Sequence, residues 1–377
     1  MNKIIRVKPC IPAEDKPLIL AAWKDILDTG MFIEGKYVSD FEKKFAAYCG
    51  TKYAIATSSG ATALEVALRA SGIEGKKILV PTQTFVASVS AIIRSGNIPV
   101  ILDIDPLTQG LSFDLIKSHL DSDVAGVMLV HMAGFITPEY QAIKNLLDYR
   151  KVLLFEDASH AVGASIDGTK AGNLGFAGCF SLFSTKIITT GEGGVITTND
   201  DDFAARCRVI KNHGSVRNEG EFKGLDYGVT CNYASSNYRM PEFAAALGVE
   251  QVKHIDEFVS RRNTLANRYW DKITNPKVSV MEVPKNIVMT WWQYIIVIEG
   301  ITVNQRESIC LSLLNQGVPT ANAYWPACHT QPAFKKYVHG TFPVADDLLN
   351  RHIALPMHVE LEIEQVDYIS RIVNQIR

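Results

Sequence analysis

Five short apolar runs, at residues 99–102, 125–130, 152–155, 180–183 and 195–198, constrain the fold of this chain more than any other feature. Helical patterns separate several of them. A strand buried on both faces reads as a brief, unbroken apolar run, because neither face meets water. Such runs alternating with helices predict an α/β architecture: a mainly parallel sheet with helices over both faces, in three αβα layers. Ligands of such sheets collect beyond the C-terminal ends of the strands.

The run 152–155 stops abruptly on two acids, Glu156 and Asp157. Further along stands Lys186, behind Ser181, Ser184 and Thr185 and ahead of Gly191, Gly193 and Gly194. An acid at a strand end can keep a pyridine nitrogen protonated, a lysine can take an aldehyde, and small hydroxyl residues can bind a phosphate. Those are the demands of pyridoxal phosphate. An acid ending a buried strand and a lysine in a Gly-rich turn are also ordinary in any α/β domain. The lysine, however, lies between the apolar stretches GCFSLF and VITT, where a charge is costly without a task. On the residues alone the stretch points to a cofactor site without fixing it.

The flanking segments read as follows. Residues 14–29 and 39–49 carry helical patterns, and YAIAT (53–57) is a short strand. After it, SSG turns into a helix over ATALEVALRAS, whose N-terminus offers free backbone N–H groups to an anion. Residues 206–240 are polar, rich in Gly and Asn, and long for a connection, which favours a functional loop. A helix from Pro241 to about Trp270 links two parts. Beyond it, MTWWQYIIVIEG reads as a strand and ESICLSLLNQG as a helix ending at Gly317. The chain therefore divides into a large domain, 1–250, and a smaller C-terminal α+β domain, 251–377.

Several functions are excluded. With 38 basic and 40 acidic residues there is no electrostatic footprint for nucleic acid. No apolar run reaches the roughly 18 residues of a membrane span, and the N-terminus lacks a signal-peptide core, so the cytoplasm is expected. Seven scattered cysteines without a C-x-x-C pair, and histidines without helical pairing, predict neither disulfides nor a metal. No Gly-rich dinucleotide or P-loop signature is present.

EDASHAVGA, GCFSLFSTK and TTGEGGVITTND together resemble the sugar aminotransferases of the DegT/DnrJ/EryC1/StrS family, pyridoxal-phosphate enzymes with the aspartate aminotransferase fold. The likeness runs from GKYVSDFEKKFAAYCGTKYAIATSSGATALEVAL to ALPMHVELEIEQVDYI. It implies Lys186 as the catalytic lysine that carries the cofactor and Asp157 as the partner of its ring nitrogen. By the same resemblance Gly60, Ala61 and Ser181 form the phosphate cup, Phe85 stacks on the ring, and His160 approaches the ring hydroxyl. Ala61 replaces the Thr or Ser of many relatives.

The resemblance further implies a homodimer with shared active sites, in which the 206–240 loop brings Asn237 to the partner's phosphate. Arg239, Tyr324 and His329 are the implied substrate contacts, the last two from a segment with Pro326 and Pro332 at the substrate mouth. The implied reaction takes an amino group from glutamate and gives it to a keto sugar, most often a nucleotide-linked 3- or 4-keto-deoxysugar. Other acceptors remain open, including an oxidised eight-carbon acidic sugar of lipopolysaccharide. A dehydratase of the same family has histidine in place of the lysine, so Lys186 speaks against it. A pyridoxal-phosphate enzyme of other chemistry, such as a desulfurase or aldolase, is disfavoured by the N-terminal and C-terminal family motifs, and a non-catalytic regulatory or binding protein that kept the fold is a third alternative.

Overall fold

The computed structural model describes residues 3–217 and 229–376; residues 218–228, the middle of the polar stretch, lie outside the described residues. Seven strands form the central sheet. Their order from edge to edge is Tyr53–Thr57, Gly194–Thr198, Ala177–Ser181, Leu153–Asp157, Val124–Val130, Lys77–Pro81 and Ile98–Leu102. Only Gly194–Thr198 runs against its neighbours; the remaining pairings are parallel. The mainly parallel α/β expectation is met.

Side-chain alternation along these strands builds the layers. Leu79, Leu129, Leu154 and Val195 enter one core, while Val80, Met128, Phe155 and Ile196 enter the other. Each such side chain contributes roughly 1.5–3 kcal/mol by leaving water. Helices Gly60–Ala70 and Val86–Arg94 cover the second face, and Lys36–Cys49 helps to cover the first.

A smaller antiparallel sheet of Val278–Val280, Tyr294–Ile298 and His352–Leu355 lies in the C-terminal part. Its helix Val303–Asn315 starts on a Thr302–Gln305 capping box and stops before Gly317, whose φ is +78°.

Three local expectations need correction. The helix expected from Ser39 begins at Lys36, because the buried carboxylate of Glu242 accepts the N–H groups of Gly35, Tyr37 and Val38. That cap comes from far along the chain, where no local pattern reveals it. The single helix from Pro241 is two, Glu242–Gln251 and Ile255–Lys272, with a 3₁₀ turn at Val252–His254. Gln251 at the break reaches out to the carbonyl of Cys10 and the N–H of Thr189. Finally, the MTWWQYIIVIEG strand pairs only over Tyr294–Ile298. Trp291 has φ +50°, outside strand geometry, and the Trp292 N–H donates to Ala133 O at 3.0 Å.

Candidate active site

The strand Leu153–Asp157 delivers Asp157 to its C-terminal end, 5% exposed. Ser88 donates its hydroxyl to Asp157 Oδ2 at 2.6 Å, and the Ser159 N–H donates to Oδ1 at 3.2 Å. Ser88 belongs to the first turn of Val86–Arg94 and is itself bonded to Thr84 Oγ1 at 2.7 Å. Two donors thus hold the carboxylate in a set direction.

Lys186 lies in the turn between strands Ala177–Ser181 and Gly194–Thr198, tied by its N–H to Phe183 O at 3.0 Å. Its Nζ stands 4.2 Å from the centroid of the Trp292 ring. Trp292 in turn donates Nε1–H to Thr185 O at 2.9 Å, which pins the turn carrying the lysine. Burial pushes the Lys186 amine down to about 7, and the negative charge of Asp157 offsets only part of that. A lysine so tuned is a poised nucleophile and base near neutral pH.

His160 lies flat on Trp292, centroids 3.8 Å apart and planes 8° from parallel, and its Nε2 meets the Tyr324 hydroxyl. Burial holds its pKa well below the ordinary value, reinforced by the charges of Lys186 and His131, so the ring is neutral. Burial raises the Tyr324 phenol well above its usual range, and it stays protonated.

These groups surround a cavity of about 480 Å³, within the range of cofactor and substrate sites. Of the residues singled out in the sequence, Gly60, Ala61, Phe85, Asp157, His160, Ser181, Tyr324 and Lys186 all line it. Phe85 is 54% exposed and presents its ring edge-tilted to Tyr324, 5.6 Å away.

Three other residues are elsewhere. His329 bonds Thr82 Oγ1 at 2.7 Å and Asp346 Oδ1 at 3.0 Å and stacks on Phe342, which leaves it holding a loop. Asn237 is exposed and accepts the Arg239 N–H at 3.1 Å, and Arg239 Nη1 donates to Asn212. Neither lines the cavity of its own chain.

Arg6, Ser88, Glu192, Trp292 and Gln293 were not singled out. All but Ser88 line the cavity, and Ser88 bonds Asp157 from behind it. The tandem tryptophan ahead of a strand was the one local sign of Trp292.

The residues fit pyridoxal phosphate. The N–H groups of Gly60 and Ala61 open the helix Gly60–Ala70 and have no acceptor among the described residues, which leaves a dipole-favoured anion cradle. A Cβ on Gly60 would come within 2.6 Å of Ser181 Cβ, so only glycine lets the helix end close on the strand end there. Across the cavity are an anchored carboxylate and a neutralisable amine.

Comparison with known proteins agrees. The family model described as the DegT/DnrJ/EryC1/StrS aminotransferase family matches residues 13–374. A GDP-perosamine synthase of Escherichia coli O157:H7 is 33% identical, covering 100% of this chain and 99% of its own. A dTDP-3-amino-3,6-dideoxy-alpha-D-galactopyranose transaminase of Aneurinibacillus thermoaerophilus is 30% identical, with 95% and 94% covered. Among solved structures, Helicobacter pylori PseC, an aminotransferase involved in pseudoaminic acid biosynthesis, superposes with a TM-score of 0.90 at 23% identity, over 99% of this chain and 98% of its own.

Proposed function

The chain belongs to the DegT/DnrJ/EryC1/StrS aminotransferase family, and from that premise we propose that it moves an amino group from L-glutamate onto a nucleotide-linked keto-deoxysugar. It is a pyridoxal-phosphate-dependent sugar aminotransferase. The observation that carries the site assignment is the burial of Lys186 beside Asp157 in one cavity, with the amine's pKa brought down to about 7. The relatives named for GDP- and dTDP-linked sugars support the acceptor class.

When bound, the cofactor supplies an aldehyde that takes up the amino group and a ring that withdraws electrons from the bond being broken. In this reading Asp157 would face the ring nitrogen and favour its protonated form, with Ser88 and the Ser159 N–H aiming its carboxylate. Gly60, Ala61 and Ser181 hold the phosphate. The neutral His160 and protonated Tyr324 border the cavity, and Phe85 closes one side as an apolar wall. With the cofactor bound, Lys186 Nζ would accept the donor's α proton in the first half-reaction and would deliver a proton to the sugar carbon that receives the amine in the second. The face of Trp292 steadies that amine when it is free and charged.

The same reading makes the enzyme a homodimer whose cavities are completed by Asn237 and Arg239 of the partner. Leu20 and Leu27, seven residues apart on one face of the first helix, stand exposed, as do Met31 and Phe32 just after it, and exposed apolar side chains of this kind can pair subunits. Seven cysteines without a bridge suit a reducing compartment, the cytoplasm. Among the described residues no helix is long and apolar enough to cross a membrane.

The test follows the visible cofactor band of the purified protein as glutamate is added, with 2-oxoglutarate assayed in parallel. The aminated protein is then offered GDP- and dTDP-linked keto-deoxysugars. Bleaching by glutamate and recovery with one of these sugars is the expected result. A band indifferent to glutamate would overturn the donor assignment, and recovery only with unlinked sugars would overturn the acceptor.

A further inference from the structure

We infer that Arg6 binds the carboxylate next to the reacting carbon of the amino-acid donor and so selects amino acids over simple amines. The inference rests on the transaminase reading above.

Arg6 is half-buried, lines the same cavity as Lys186, and has no hydrogen bond or ion pair from its guanidinium among the described residues. Burial alone pulls its pKa down, the mark of a cation that has lost water without gaining a partner. That loss is compensated when a ligand's anion arrives.

Its placement is built. Ile4 is buried, Ile5 O meets His358 Nε2 at 3.0 Å, and Arg6 O accepts the Met357 N–H at 3.0 Å. Lys8 pairs with Glu360, and Cys10 O accepts from Gln251 at 3.1 Å. The N-terminal segment is thereby tied down on both sides of Arg6. The buried Arg262 joins the same wall, with Nη1 at 2.9 Å from Trp291 O and 3.4 Å from Met357 O. The wall that carries Trp292 over Lys186 is therefore the wall against which Arg6 is laid.

Charge then decides the ligand. The cavity lining carries two acids, Asp157 and Glu192, and two permanent or potential cations, Arg6 and Lys186. Asp157 is committed to a ring nitrogen and Lys186 to proton transfer. An amino acid reacting at Lys186 brings a carboxylate next to its reacting carbon, and a carboxylate entering beside two acids needs a cation. Arg6 is the cation that this chain's own lining leaves for it, and its planar fork matches a carboxylate in two bonds.

The experiment uses cofactor-loaded protein and two variants, Arg6→Gln and Arg6→Lys. Glutarate, a dicarboxylate without an amino group, is titrated by calorimetry, and the glutamate dependence of band bleaching is measured by rapid mixing. Arg6→Gln is expected to weaken both by on the order of ten- to a hundredfold, with the limiting bleaching rate nearly kept and the cofactor spectrum unchanged. Arg6→Lys is expected to recover part of the loss. A short alkylamine should react alike with all three proteins. Unchanged glutarate affinity and glutamate saturation in Arg6→Gln would overturn the inference. If wild-type protein binds glutarate through Arg6 yet its band ignores glutamate, the carboxylate site stands and the glutamate assignment falls.

Discussion

Glu156 and Asp157 are adjacent on one strand, and their carboxylates serve opposite faces of the sheet. Glu156 is fully buried and accepts the N–H groups of Gly172, Leu174 and Gly175 at 2.8–2.9 Å, with His131 Nε2 at 2.9 Å. Asp157 accepts from Ser88 and Ser159 and faces the cavity. One acid holds the loop that follows the strand, and its neighbour serves the site.

The two acids should therefore fail differently. Glu156→Ala strands buried donors and is expected to lower stability by roughly 3–5 kcal/mol, read as a shift in denaturation midpoint. Asp157→Asn should leave that midpoint nearly unchanged and slow the glutamate half-reaction by about 10²–10³. Ser88→Ala, which loosens Asp157 without removing it, should cost about tenfold. Equal rates in wild type and Asp157→Asn would remove Asp157 from the reaction.

Lys186 predicts a pH signature in the cofactor-free protein. Its folded pKa, about 7, lies below the 10.5 of an unperturbed lysine, so between those values the unfolded chain binds the extra proton. Stability contributed by this site then rises with pH across that window, and the cost is complete below about 7. Lys186→Met removes the cost. The variant should be more stable than wild type at pH 6, with the difference shrinking toward pH 10 in denaturant titrations. A difference independent of pH would show that the amine is not depressed. The same variant should lose at least about 10³ in half-reaction rate.

Gly60 is set where no side chain fits. A Cβ would come within 2.6 Å of Ser181 Cβ and 3.0 Å of Ser181 Cα, so Gly60→Ala must push the helix end off the strand end. Overpacking of this kind costs about 1–3 kcal/mol, here directed at the gap between the two anion-binding elements. Pyridoxal phosphate affinity, measured by reconstitution after dialysis, should fall about tenfold or more. An unaltered affinity would take Gly60 out of the phosphate cup.

What could be read in the sequence follows from how the site is assembled. Asp157, Ser181 and Lys186 fall within one stretch of alternating strands and turns, where period and composition carry the signal, and their side chains do line one cavity. The parallel sheet was legible for the same reason. Ser88, Trp292 and Arg6 arrive from three distant segments, and apart from the tandem tryptophan nothing in their local pattern marks them. Trp292 stands by Lys186 next to Trp291, whose positive φ lies in a region that favours glycine or asparagine, so a tryptophan there gives no local sign of the turn. His329 shows the converse. Its motif suggested substrate, while Thr82, Asp346 and Phe342 use up its ring.

The proposed sharing of each site between two subunits makes the sharpest prediction about assembly. Leu20 and Leu27 are 62% and 64% exposed on the first helix, so Leu20→Glu with Leu27→Glu should leave the fold intact and separate the subunits in sedimentation velocity. Separation alone does not show that one chain completes the other's cavity. Lys186→Ala and Asn237→Ala supply that test. Each homodimer should be inactive or nearly so, the first for want of its amine and the second for a weakened phosphate grip. In the mixed dimer one cavity carries both lesions and the other carries neither, provided that Asn237 acts across the interface. Mixing the two proteins after reversible dissociation should then restore activity at one cavity per dimer. If each Asn237 serves its own chain, both cavities of the mixed dimer stay damaged and no activity returns.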